Sequence, residues 1–406
     1  MNYIENFISQ LETKYEEYKE KALNHRRFKH RDILPLIEKL NTQKTFEISE
    51  IGKSTEGREI YMLKAGRGKT SVLLWSQMHG NEPTATQALF DIFNFFTTTD
   101  DFDEIKKTML DKLTLYFIPM VNPDGAELFK RRNALDIDLN RDALRLEAIE
   151  TKLLKKIRDG INAQYGFNLH DQEIYYTAGA CSMPATISFL APSFNSEQSI
   201  DQNRIASMEQ IVLMNEMLQK RIPGQVGRYS DDFMPTAFGD NIQLWGTNVI
   251  LIESGGFKND PEKQYVRQLN FLCILTSFYA LAYDYPANFE LMEYFKIPEN
   301  KKEKLFDLLI RNAVIKHGSL QFKVDIGIRR EEIDTPDHKS YTNIGKIAEI
   351  GDMSYSFGYE EIDASNLTIS GNEIHDFALR IDKKADFVLK NSSGNVKFAI
   401  SNGFIV

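Results

Sequence analysis

Two histidines and a glutamate carry the first chemistry legible in this chain. His79 and Glu82 stand three residues apart in SQMHGNEP, so one tight turn can bring an imidazole and a carboxylate together. His170 closes YGFNLH and is followed by Asp171. Each histidine comes at the carboxyl end of a run that reads as a buried strand, and in open α/β sheets ligands bind outside those ends. Two imidazoles and one carboxylate form a recurring set for catalytic zinc, leaving a fourth coordination position for water. A bare HxxE step arises often by chance, and a histidine is most often a surface or satisfied core residue. The second strand-end histidine is what lifts this pair out of that background.

Residues 122–142, NPDGAELFKRRNALDIDLNRD, add Arg131, Arg132 and Arg141 among asparagines and aspartates. The plain reading is a solvated, charged loop. Against it, LNRD sets Asn140 beside Arg141, an amide and a guanidinium suited to gripping a carboxylate. Asp138 is placed to accept the second N–H of a metal-bound imidazole, which fixes the tautomer and raises basicity. Glu253 ends the apolar run NVILIE and precedes SGG. A carboxylate there is costly inside a core unless it faces a cleft or a partner. A strand-end cleft acid is the better reading than a structural salt bridge.

These side chains need a scaffold that brings strand ends together. Apolar spacing predicts a helix over 3–23, two short strands within 46–66, and a strand at 71–77. A helix then opens near Pro83, a residue suited to a first helical position. Strands follow at 113–122, 165–170 and 248–254, and helices at 142–158, 203–221 and 261–284. Such alternation predicts a three-layer α/β/α domain around a mixed, largely parallel sheet. After about Pro286 the texture changes. A helical stretch over 300–315 is expected, then short alternating runs (LQFKVDIGI, LTISG, DFALRI, DFVLK, VKFAIS) that suggest a small β-sandwich or barrel. The expected domains are 1–288 and 289–406.

Composition excludes several classes. The 406 residues are 42% hydrophobic and 26% charged, values that suit buried cores and exclude a disordered chain. A balance of 49 basic against 58 acidic residues, net −9, argues against nucleic-acid backbones as partners. Cys181 and Cys273 are too few for a disulfide framework. The start mixes acidic and basic residues without a secretory pattern. The longest strongly apolar uncharged stretch, residues 268–283, falls short of the roughly 20 residues a membrane span needs. The expectation is a cytoplasmic protein with no membrane or nucleic-acid partner.

In order along the chain, HGNE, NPDG, an Arg-x-Asn step, DLNR, a strand-end His and a strand-end Glu resemble the zinc carboxypeptidases of the carboxypeptidase A/B type, over roughly residues 45–285. The resemblance implies one zinc per chain, held by His79, Glu82 and His170, with Asp138 backing His79. It implies that Arg131 polarises the scissile carbonyl, with the adjacent Arg132 as the alternative. Asn140 and Arg141 would hold a terminal carboxylate, and Glu253 would be the general base and acid. Tyr229, 24 residues before Glu253, matches the family's substrate-capping tyrosine, and residues 229–247 should build the specificity pocket. NLHDQEIYYTAG and MPATISFLAPSFN look closer to bacterial members than to the digestive enzymes. The implied activity is a metallocarboxypeptidase acting on peptides with a free carboxylate. A deacylase or amidase acting on N-acyl amino acids or muropeptide amides through the same site is the alternative, and an inactive binding protein is a third reading.

Overall fold

The structure, a computed structural model, describes residues 3–285, 290–371 and 379–406. The boundary expected at 288/289, His375 and the first half of the run 376–381 lie outside those residues. The chain divides into two compact units, one of residues 1–174 with 185–300 and one of 175–184 with 301–406. In this division a ten-residue excursion after the His170 strand belongs to the second unit.

The first unit is organised by an eight-stranded mixed sheet. Its strands are β1 (Glu47–Lys53), β2 (Glu59–Gly66), β3 (Thr70–Ser76), β4 (Leu113–Ile118), β5 (Tyr165–Asp171), β6 (Ile187–Leu190), β7 (Val226–Arg228) and β8 (Asn248–Ser254). They lie in the order β1-β2-β4-β3-β5-β8-β6-β7. The centre, β4-β3-β5-β8, is parallel, whereas β1, β2 and β6 join antiparallel. The central strands are covered on both faces, which is why they read as unbroken apolar runs.

One face carries the larger core, where Phe93, Phe95, Phe117, Phe271 and Phe278 pack together. The helices Thr84–Thr97, Gln202–Gln219 and Gln264–Ala282 supply much of it. The last of these is buried almost all round, as expected of a helix apolar on every side. The other face packs Leu73, Trp75 and Val249 against Leu154 of the helix Ile149–Ile161 and Ile242 of the helix Phe238–Leu244. Three layers result.

The helix expected from residue 142 begins only at Ile149. Asp142 takes up the amides of Glu147 (3.1 Å) and Ala148 (2.9 Å) and the Thr151 hydroxyl (2.6 Å), tying the approach to the helix into a turn. Sequence reading also passed over the helices His30–Thr42 and Asp103–Lys112, the strands β6 and β7, and the short helix Phe238–Leu244. No described helix is long and apolar enough to cross a membrane.

The second unit is β-rich, with an eight-stranded sheet built from Leu305–His317 onward. The helical expectation over 300–315 is corrected here, because Leu305–His317 is a long strand. A bulge between Ile310 and Ala313 breaks its alternation. Its side chains also enter two clusters, Leu308, Ile310 and Ala313 in one and Phe306 and Leu309 in the other. A strand buried on both faces mimics helical spacing.

Candidate active site

The turn after β3 is shaped by backbone crowding. Gln77, directly after the strand, adopts φ +49°, a left-handed conformation uncommon outside glycine, and its side-chain amide donates to Gly80 O at 2.8 Å. Gly80 must be glycine, since a Cβ there would lie 2.0 Å from the carbonyl carbon of Gly125. HGNE and NPDG are therefore two halves of one backbone contact. Asn122 completes it: its Oδ1 accepts from Gly125 N at 2.9 Å, and its Nδ2 donates to Met78 O at 3.2 Å and to Arg131 O at 3.4 Å. The asparagine joins the residue before His79 to the loop that carries Arg131 and Asp138.

His79, Glu82 and His170 are all buried, and one ligating atom from each lies within 4.8 Å of the others. The Nδ1 atoms of both imidazoles converge on one carboxylate, His79 at 2.8 Å from Glu82 Oε1 and His170 at 2.7 Å from Glu82 Oε2. His79 Nε2 points the other way, to Asp138 Oδ1 at 3.1 Å. Two nitrogens and a carboxylate, from the turn after β3 and the end of β5, one imidazole backed by a second carboxylate, fit a catalytic zinc donor set. Burial would raise the Glu82 carboxyl, but the two adjacent imidazoles outweigh it and hold it well below the usual carboxylate range. Asp138 is held low in the same way, its burial overcome by His79 and Arg131.

The two adjacent arginines part company. Arg131 reaches the cluster, its Nε 3.0 Å from Asp138 Oδ2 and its Nη1 3.2 Å from Glu82 Oε1, with 41% of its side chain exposed. Arg132 turns away and donates to Asp136 O at 2.9 Å. The loop between them and Asp138 is pinned by Asn133, whose Oδ1 accepts from Leu135 N and Ile137 N, both at 3.0 Å. Asn133 Nδ2 in turn reaches Glu150 Oε2 at 3.3 Å, and the other oxygen of Glu150 accepts from Thr55 N at 3.0 Å. Glu150 is a positioning residue that sequence reading missed, because nothing in a helix-forming stretch marks one buried glutamate.

Farther out, Asn140 Oδ1 accepts from Phe238 N at 2.8 Å, which ties this loop to the segment 229–247. Arg141 is exposed, and its Nη1 donates to Asn140 O at 2.7 Å. Tyr229 follows β7, its amide donating to Phe189 O at 2.9 Å. Two acids of the segment are already engaged, Asp231 by Arg204 and Asp232 by Gln198. Asp240 is buried, and that burial pushes its carboxyl up to about 6.

Glu253 sits beside His170 in the register of the parallel pair β5–β8, so both project from one face at the strands' carboxyl ends. Its Oε2 is buried without a hydrogen-bond partner among the described residues. Burial, then the carboxylates of Glu82 and Asp171, push its carboxyl well above the usual range, against the pull of Lys263 and Arg131. A half-buried acid with one buried, unpartnered oxygen beside a metal-type donor set is a functional-site signature rather than a structural one.

Residues 33–176 match a family model described as zinc carboxypeptidase. Carboxypeptidase 2 of Trichophyton tonsurans is 26% identical over 142 residues, which are 32% of this chain and 25% of that protein. The zinc carboxypeptidase of Saccharothrix mutabilis subsp. capreolus is 31% identical over 86 residues, 20% of each. The chain thus spans about a quarter of the length of such curated relatives. Among solved structures, a metallo-carboxypeptidase from Burkholderia cenocepacia has a TM-score of 0.52 at 16% identity, covering 64% of this chain and 70% of that one. Bovine thrombin-activatable fibrinolysis inhibitor, solved with tick carboxypeptidase inhibitor, gives 0.52 at 16%, covering 65% and 99%. At such identities the likeness is one of fold.

Proposed function

We propose that this chain, residues 33–176 of which match a zinc carboxypeptidase model, is a metallocarboxypeptidase that hydrolyses the C-terminal bond of a peptide. The observation that carries this reading is Glu253, whose buried Oε2 has no partner among the described residues and which lies in register with His170, next to the convergent donors. His79 and His170 through Nδ1, and Glu82 through its carboxylate, would hold one zinc, which when bound supplies Lewis acidity toward a water and a carbonyl. Glu253 takes the proton of the attacking water and passes it to the leaving nitrogen. Arg131, whose guanidinium reaches Glu82 and Asp138, donates to the oxygen on which negative charge develops. Asn140 and Arg141 orient the substrate by its free carboxylate, and Tyr229 covers it.

The two arginines separate ground-state from transition-state work. Arg141→Ala should mainly raise KM, because a carboxylate is gripped equally in both states. An unchanged preference for free over amidated C-termini in that variant rejects the carboxylate role. Arg131→Ala should instead lower kcat by roughly 10²–10³, the loss typical of one oxyanion donor. Arg132→Ala serves as its control and should leave kcat near the parent value.

An N-acyl amino acid supplies the same free carboxylate to Asn140 and Arg141, so a deacylase is the second reading. Short peptides and N-acyl amino acids, offered side by side with and without chelator, separate the two by their products. Release of a C-terminal amino acid from the peptides alone supports the carboxypeptidase.

A further inference from the structure

We propose that Lys263 is a positioning residue, whose ammonium group clasps together the three backbone elements that carry the metal donors and Glu253. The inference rests on reading His79, Glu82 and His170 as a zinc site. Lys263 precedes the helix Gln264–Ala282 and is 5% exposed, in a left-handed conformation at φ +50°. Its Nζ donates to Ser254 O at 2.8 Å, Asp171 Oδ2 at 3.2 Å and Gln172 O at 3.3 Å. All three donors of the ammonium group are thereby used.

The partners' places in the chain give this network its meaning. Ser254 follows Glu253, and Asp171 and Gln172 follow His170, so one cation bridges the ends of β8 and β5 where the sheet opens into loops. Asp171 extends the clasp to the third element. Its Oδ2 also accepts from the Thr84 hydroxyl at 2.5 Å, two residues after Glu82. Its backbone N–H donates to Glu82 Oε2 at 3.2 Å, touching the metal-type carboxylate directly. The clasp therefore acts on Glu82 through Asp171 and on Glu253 through Ser254.

Stability alone does not call for this arrangement, since a buried ion pair is often no better than well-packed apolar residues of similar volume. Its removal has a directed consequence, however. Without the ammonium, Ser254 O, Gln172 O and Asp171 Oδ2 lose the donor they share, and the ends of β8 and β5 that carry Glu253 and His170 are no longer tied together.

Zinc titration of the full chain by competition with a chromophoric chelator, alongside thermal unfolding, tests the clasp without needing turnover. Lys263→Met should fold yet bind zinc about 10–100-fold more weakly, the loss typical of removing a group that supports metal ligands. Lys263→Arg should recover most of that loss. If Lys263→Met does not fold, Lys263→Gln, which keeps a donor for Ser254 O, should show the same weakening on a smaller scale. Folded variants that bind zinc within about twofold of the parent chain, whatever their melting temperature, would overturn the clasp and leave the zinc site standing. A parent chain that fails to bind zinc takes both readings down.

Discussion

Replacing Glu253 by glutamine should leave the chain folded and its zinc content unchanged while lowering kcat by about 10²–10⁴, the range for general acid–base catalysis. Glutamine keeps the shape of the side chain but can neither accept the proton of a water nor deliver one to a departing amine. The structure sharpens the contrast with a structural role. A glutamate that only holds its neighbours in place shows its partners, as Glu150 does with Thr55 and Asn133. Glu253 has a buried oxygen with no partner among the described residues and a carboxyl pushed up by burial and by two neighbouring carboxylates. Its substitution should therefore be neutral or mildly stabilising, because a buried carboxylate oxygen without a partner is expensive to keep. Steady-state kinetics and a melting curve on the same sample decide the matter. A folded, zinc-loaded glutamine variant with near-normal kcat removes Glu253 from the reaction.

Removing zinc should abolish hydrolysis, and one equivalent of zinc should restore it. Among the described residues, the donors that converge on Glu82 engage only each other and Arg131, apart from Asp138 behind His79 and the Asp171 amide. With free zinc at 1,000 times the dissociation constant, a ligand that binds only the folded chain adds about 4 kcal/mol of stability. The melting temperature should therefore rise with added zinc in the parent chain. In His79→Ala that rise and the recovered activity should both disappear. Retention of stoichiometric zinc and turnover by His79→Ala would show that the donor set has been misassigned.

How much of this was legible in the sequence varies by residue. The strand-end placement of His79, His170 and Glu253 follows from local rules, because a short apolar run bounded by polar residues and followed by a turn announces a covered strand and its end. That the three strands lie side by side does not follow. β3, β5 and β8 are separated by long stretches of chain, and their adjacency is a property of the sheet order. Arg131 and Arg132 are equivalent in composition and nearly so in position. Only the fold of the 131–138 loop, pinned by Asn133 and Glu150, points one at the cluster and the other at Asp136 O.

The second unit shows the opposite error. Leu305–His317 carries apolar residues at helical intervals, and periodicity alone cannot distinguish a bulged strand covered on both faces from a helix. The excursion of residues 175–184 into that unit left no compositional trace either. By itself, the sequence determined the types of residue at the site, their order and the strand ends that bear them, because each of these depends on near neighbours in the chain. The tertiary structure alone decided which atoms converge, which arginine reaches the cluster and which cation lies between the strand ends. Those outcomes depend on contacts between residues distant in sequence, whose geometry is set only when the sheet has closed around its core.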